Sequence, residues 1–171
     1  MEEKTLLNAA LVFLVTPTEV GLGLKKQKIG AGLLNTVGGG IEPGETAAEC
    51  AVREAQEEWT ITIDPSSLSK VAVADFHNRK SDGELFNCRV HTFFCTTWEG
   101  TPQESDEMGP LEWFARDQVP FDRLMLADRD WLPAILSGKY IYAESWYGPK
   151  QQTLEQPTIL TEVTPEKLIS L

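Results

Sequence analysis

The sequence predicts an α+β domain, a mixed β-sheet with helices packed on its faces. Three observations carry that expectation: a short apolar run, a glycine-rich segment after it, and one Gly- and Pro-free helical stretch set among strand-like segments. Residues 6–15 (LLNAALVFLV) are apolar but for Asn8, the pattern of a central strand buried on both faces. Thr16-Pro17-Thr18-Glu19 ends that run, and Val20, Leu22 and Leu24 then alternate with small or polar residues, as in a half-buried strand pairing back on the first. Gly30, Gly32, Gly38, Gly39, Gly40, Pro43 and Gly44 exclude a regular helix over residues 28–44 and predict a long loop.

Residues 46–59 are rich in Ala and Glu and follow an acidic residue suited to a helix N-terminus, so they form the strongest predicted helix. Ala47, Ala51, Ala55 and Trp59 recur every four residues, a narrow stripe that lets the helix approach a sheet closely. Residues 70–76 and 84–95 predict strands joined by a polar turn, and residues 110–114 a further short strand. A short helix is expected over residues 128–136, stopped by Ser137-Gly138. Residues 139–146 and 158–163 read as a late hairpin.

With 15 Lys plus Arg against 26 Asp plus Glu, the net charge of −11 argues against DNA, RNA or an anionic membrane as partner. The 42% hydrophobic and 24% charged residues place the chain with ordinary globular domains, away from disorder. A chain of 171 residues buries roughly 70% of its unfolded surface and needs no disulfide to fold. Cys50, Cys88 and Cys95 lack CxxC spacing and read as thiols of a reducing compartment. No run reaches the ~20 apolar residues of a membrane span. A single domain over residues 1–171, soluble and cytoplasmic, is the expectation.

The chemistry concentrates in residues 39–61, GGIEPGETAAECAVREAQEEWTI. Glu54, Glu57 and Glu58 stand at i, i+3 and i+4, which puts three carboxylates on one helix face. Such crowding calls for a counter-charge, and a hard cation such as Mg²⁺ takes oxygen ligands and keeps sites for water and phosphate. Arg53 lies beside the cluster, placed to pair with Glu45. Charges at these spacings are usually only a solvated helix face. The fixed register of loop glycine, Glu45, Arg53-Glu54 and Glu57-Glu58 speaks against that.

In that register Gly39, Glu45, Arg53, Glu54, Ala55, Glu57, Glu58 and Ile61 match the box G-x5-E-x7-R-E-U-x-E-E-x-G-U, where U is aliphatic, and the chain resembles the Nudix hydrolase family. One position departs: Thr60 stands where the family has glycine, which puts the end of the helix in question. The resemblance implies the α/β/α Nudix fold and hydrolysis of a nucleoside diphosphate linked to another group. It implies Mg²⁺, with Mn²⁺ as a substitute, held by Glu54, Glu57, Glu58 and Gly38, with one of these glutamates as the base. Gly38 and Gly39 would let backbone approach metal and phosphates. Arg53 and Glu45 would complete the catalytic set.

Segments outside the box are similar to the MutT-type branch, which clears oxidised purine triphosphates such as 8-oxo-dGTP from the nucleotide pool. These are Gly30-Ala31-Gly32 with Asn35, Gly100-Thr101-Pro102, Glu104-Ser105-Asp106-Glu107-Met108, Trp113-Phe114, Pro120-Phe121, and Asp128 with Trp131-Leu132-Pro133. The likeness implies that Asn35 and Asp128 grip the purine edge, that Lys25 lies near the nucleotide, and that Glu104 is a metal ligand or base. Two departures fall in the expected base pocket: Ala127 replaces the first of two aspartates and Met125 a tryptophan. Asp130 would replace the lost carboxylate if the alignment shifted. Loss of a paired buried carboxylate is worth about 1–3 kcal/mol of base discrimination, so another nucleoside triphosphate or a nucleoside diphosphate derivative stands as the alternative substrate. A non-catalytic nucleotide-binding module is the reading from another class, and the box carboxylates speak against it. The small-molecule nucleotide is the expected partner, bound by a monomer or homodimer.

Phe76 is a candidate lining residue of the pocket, with core packing as its alternative. Lys26 and Lys28 read as solvated loop or phosphate contacts. Cys88, His91 and Cys95 have a suggestive spacing for zinc, but strand alternation sends Cys88 to the face opposite His91 and Cys95. The five tryptophans read as mainly structural.

Overall fold

A computed structural model describes residues 5–171. The apolar run becomes β1 (Asn8–Leu14), which lies between β4 (Val37–Gly40) and β6 (Leu85–Cys95). The sheet continues through β5 (Ser69–Arg79) and β8 (Ile141–Tyr147) to β9 (Leu154–Glu162) at its edge. It is mixed: β1 runs antiparallel to β4 and parallel to β6, and β5 runs antiparallel to β6 and parallel to β8.

Alternation along the strands supplies two cores. Ala10, Val12 and Leu14 of β1 face one way, with Phe93 and Cys95 of β6, and are covered by α1 (Ala47–Trp59) through Cys50, Ala51, Ala55 and Trp59. Ala9 and Phe13 face the other way with Ala72, Ala74, Phe76, Ala143 and Tyr147. Trp131, Leu132 and Ile135 of α2 (Asp128–Leu136) cover them. Helix, sheet and helix form the three expected layers. A last short helix, α3 (Pro165–Ser170), buries Leu168 and receives a bond from Arg89 Nη1 to the carbonyl of Leu171 (3.3 Å).

Several elements differ from the sequence reading. β2 (Glu19–Leu24) does not pair back on β1 beyond a single bridge, Val15 to Val20. It pairs with β7 (Glu112–Ala115) and with β3 (Leu34–Asn35) in a separate three-stranded sheet. The glycine-rich segment is not all loop, since it holds β3 and β4. Its glycines are compatible with extended backbone: a Cβ at Gly38 would collide with the carbonyl of Ala10 on β1. β5 extends to Arg79, past the expected turn, because the 77–79 segment keeps pairing with residues 85–87.

Helix α1 starts with a reciprocal cap: Thr46 Oγ1 accepts from Glu49 N (3.1 Å), and Glu49 Oε2 accepts from Thr46 N (3.2 Å). It stops at Thr60, which takes the left-handed conformation (φ 58°, ψ 36°) normally left to glycine. The helix therefore ends where the box requires it, at the expense of a strained β-branched residue. Left-handed backbone costs an L-residue about 1–2 kcal/mol, part of which glycine's larger unfolded-state entropy would offset. Thr60→Gly is expected to raise unfolding free energy by about 1 kcal/mol in urea titration; unchanged or lower stability would contradict a strain at Thr60 larger than the entropy cost of glycine.

Candidate active site

Arg53 organises the site. Its Nε donates to Glu45 Oε2 (2.7 Å) and its Nη2 to Glu45 Oε1 (3.0 Å), a two-pronged pair that holds the loop before α1. Nη2 also donates to the carbonyl of Gly40 on β4 (3.0 Å), and Nη1 to Glu54 Oε1 (2.9 Å). The guanidinium bonds hold the Glu45 carboxyl down at about 2. Gly39 leaves the room that Glu54 needs: a Cβ there would collide with the Glu54 carboxylate.

Glu54 and Glu58 are buried one turn apart on the same face of α1. Burial first, then the charges of Glu54 and Glu107, push Glu58 up to about 8. Glu57 does not join them. Its side chain is 57% exposed and reaches only Arg53 Nη1 (3.4 Å). Among the described residues no three Asp, Glu, His or Cys side chains converge into a ready-made metal group. What is present fits a divalent cation by chemistry: two buried carboxylates one turn apart, a third acting on them, and oxygen donors throughout.

Glu58 lines a narrow cleft together with Lys25, Asn35, Thr36, Gly38, Glu107 and Met108. Asn35 spends Oδ1 on the backbone N–H of Thr36 (2.8 Å), and among the described residues its amide NH₂ has no bond. Lys25 donates to the carbonyl of Ile29 (2.6 Å), and burial lowers its pKa. The negative charges of Glu58, Glu107 and Asp128 act on it in the opposite direction. Asp128 accepts from Trp131 Nε1 (2.9 Å), while burial pushes its carboxyl up to about 7. Met125 is buried beneath Gly30, where a Cβ would lie 2.9 Å from the Met125 sulfur. The glycine thus lets the 25–33 loop close over Met125.

Other candidates stand elsewhere. Glu104 is exposed and paired with Lys26 (2.8 Å), away from the carboxylate pair. The residue of that segment that faces Glu58 is Glu107, which the sequence reading passed over. Ser105 would have signalled it: its hydroxyl accepts from the N–H groups of Glu107 and Met108, forming a turn that presents Glu107, and Lys26 N fixes the Glu107 carbonyl (2.9 Å). Phe76 belongs to the core under α2 and packs on Tyr147 at 5.9 Å. Asp130 is exposed on the first turn of α2 and does not replace the carboxylate absent at Ala127. Cys88 and Cys95 lie in opposite cores as free thiols, so no zinc site forms with His91.

The fold, the capped carboxylate helix and its arginine clamp define a Nudix-type site. Residues 5–135 match the NUDIX domain, and the chain belongs to that family of hydrolases. It is 40% identical over 129 residues to the oxidized purine nucleoside triphosphate hydrolase of Danio rerio, covering 75% of this chain and 79% of that protein. The Mus musculus protein of the same name is 41% identical over 129 residues, with the same coverage. The fold is similar to the crystal structure of a mutator MutT protein from Bacillus halodurans, with TM-score 0.75 and 24% identity over 91% of this chain and 97% of that one.

Asp128 gives the site a pH signature. A carboxyl raised from 3.8 to about 7 in the fold stabilises the protein fully at pH values below the unfolded pKa, and that contribution fades as pH rises through 7. The melting temperature of Asp128→Asn minus that of wild type should therefore increase from pH 5 to pH 8. A difference independent of pH would contradict the burial assigned to this carboxyl.

Proposed function

We propose that this chain, as one catalytic unit, hydrolyses nucleoside triphosphates to the monophosphate and pyrophosphate, with oxidised purine nucleotides such as 8-oxo-dGTP preferred and Mg²⁺ required. The observation that carries the proposal is that one cleft joins the carboxylates of Glu58 and Glu107 to Lys25 and Asn35, with Glu54 one turn before Glu58 on α1. The names of the vertebrate relatives support the substrate class.

Glu54, Glu58 and Glu107 would hold the cation, with the exposed Glu57 free to swing toward it. When bound, Mg²⁺ withdraws charge from the phosphate oxygens and makes water a better nucleophile. Glu58, whose carboxylate lines the cleft, is placed to take the water's proton. Arg53, fixed by its fork on Glu45, keeps Glu54 aimed through Nη1, and Lys25 offers a cation to the phosphate chain. Asn35 turns its amide NH₂, and Asp128 its second oxygen, to the edge of the base.

Another purine triphosphate is the second reading, favoured by a specific observation: Ala127 is 0% exposed, and it gives the base pocket no polar group from its side chain. Pyrophosphate release from 8-oxo-dGTP, 2-hydroxy-dATP, dGTP, dCTP and ADP-ribose, with and without Mg²⁺, separates the readings. Highest kcat/KM on an oxidised purine, abolished by chelation and reduced about 10²–10⁴-fold in Glu58→Gln, is the expected outcome. Wild-type turnover by Glu58→Gln would overturn the assignment of that carboxylate.

A further inference from the structure

Helix α2 begins without a side-chain cap, at Ala127, whose buried methyl offers no polar atom. The backbone N–H of Ala127 is nevertheless satisfied: it donates to the hydroxyl of Tyr147 (2.8 Å), which arrives from β8 on the sheet below. Tyr147 is 2% exposed, and its ring is wedged against Phe76. The residue after Ala127 is Asp128, whose Oδ1 is held by Trp131 Nε1 (2.9 Å). Three groups thus bear on this carboxylate: Trp131 through its oxygen, the Met125 carbonyl through the N–H of Asp128 (3.1 Å), and Tyr147 through the backbone immediately before it.

We propose that Tyr147 is a specificity-determining residue that acts through Asp128, its hydroxyl pinning the first turn of α2 so that the free oxygen of Asp128 meets the edge of the base. The proposal rests on the reading of Asp128 as a base contact. The geometry gives the hydroxyl this task for two reasons. The Met125 carbonyl takes the N–H groups of Asp128 (3.1 Å) and Arg129 (3.4 Å), which leaves the buried N–H of Ala127 to the Tyr147 hydroxyl. Tyr147 also takes it from the end of β8, a strand paired on both sides, where it stands opposite Leu154 of β9, so its position does not follow loop motion. Without the hydroxyl, the buried N–H of Ala127 must find another acceptor, and the turn moves with it. A shift of about 1 Å in a positioning group is enough to alter rate by orders of magnitude. The phosphate end of the cleft, built on α1 and β4, is untouched by such a shift.

Tyr147→Phe keeps the ring on Phe76 and removes only the hydroxyl. Take whichever nucleotide of the panel wild type turns over best, and the next-best base as reference. The expected result is a rise in KM of about 3- to 30-fold for the preferred nucleotide, kcat changed less than about twofold, and a fall in discrimination between the two bases. In an Asp128→Asn background the same substitution should add little, because both changes remove one function. Equal losses on both nucleotides, or a full additional loss in the Asp128→Asn background, would overturn the proposal. If Tyr147→Phe yields no folded protein, Tyr147→Leu carries the same expectations. A wild-type preference for a nucleotide other than an oxidised purine would contradict the proposed substrate class. The discrimination ratio would still decide the role of Tyr147.

Discussion

The structure of the site depends on the guanidinium of Arg53. One planar group ties together three pieces that the chain brings from different places: the loop through Glu45, strand β4 through the carbonyl of Gly40, and helix α1 through Glu54. The side chains of Glu45 and Glu54 are only 13% and 11% exposed, so neither charge is well hydrated without this partner. Removing one member of such a partly buried pair generally costs about 3–5 kcal/mol, because the other charge is left uncompensated. Lysine cannot replace it, since a point charge does not satisfy a fork and two further acceptors at once.

That arrangement neutralises part of the acidic cluster and leaves the rest in need of a cation. Arg53 spends its donors on Glu45, Gly40 and Glu54, and Glu58 is left facing Glu54 and Glu107 with Lys25 as its cationic neighbour. The net charge of −11 then has a local meaning. Acidity that repels a nucleic-acid polymer is compatible with a free triphosphate when metal ions stand between carboxylates and phosphates. The ordinary parts of the fold serve this end: the alanine stripe on α1 brings the helix close to β1 and β4, and Gly39 leaves space for a carboxylate beside a strand.

Much of this was legible in the sequence, for physical reasons that can be named. Helix α1 and its carboxylates follow from local composition and spacing, and α2 was read to its observed ends from Asp128 and Ser137-Gly138. Strand β1 followed from near-continuous hydrophobicity. The partner of β2 was not legible, because alternation shows that a segment is a strand without showing where its edge hydrogen bonds go. Glycine misled in the 28–44 segment: it signals turns, yet on β4 it serves close packing against β1. Glu104 and Glu107 illustrate a finer limit. They share a short acidic run, and which of them meets the cleft is set by the Ser105 turn and the Lys26 backbone bond. Tyr147 was invisible for a related reason, since its contact with Ala127 joins elements that are close only in the fold.

The most direct test of the central claim is the Mg²⁺ dependence of pyrophosphate release in Arg53→Lys, which keeps the net charge and removes the fork. The account predicts that half-saturation in Mg²⁺ rises and turnover at saturating Mg²⁺ falls at least about tenfold, as expected when a positioning group around a metal site is lost. Wild-type Mg²⁺ affinity and turnover in this variant would contradict it, and would show that positive charge alone, without the planar clamp, suffices to organise the carboxylates.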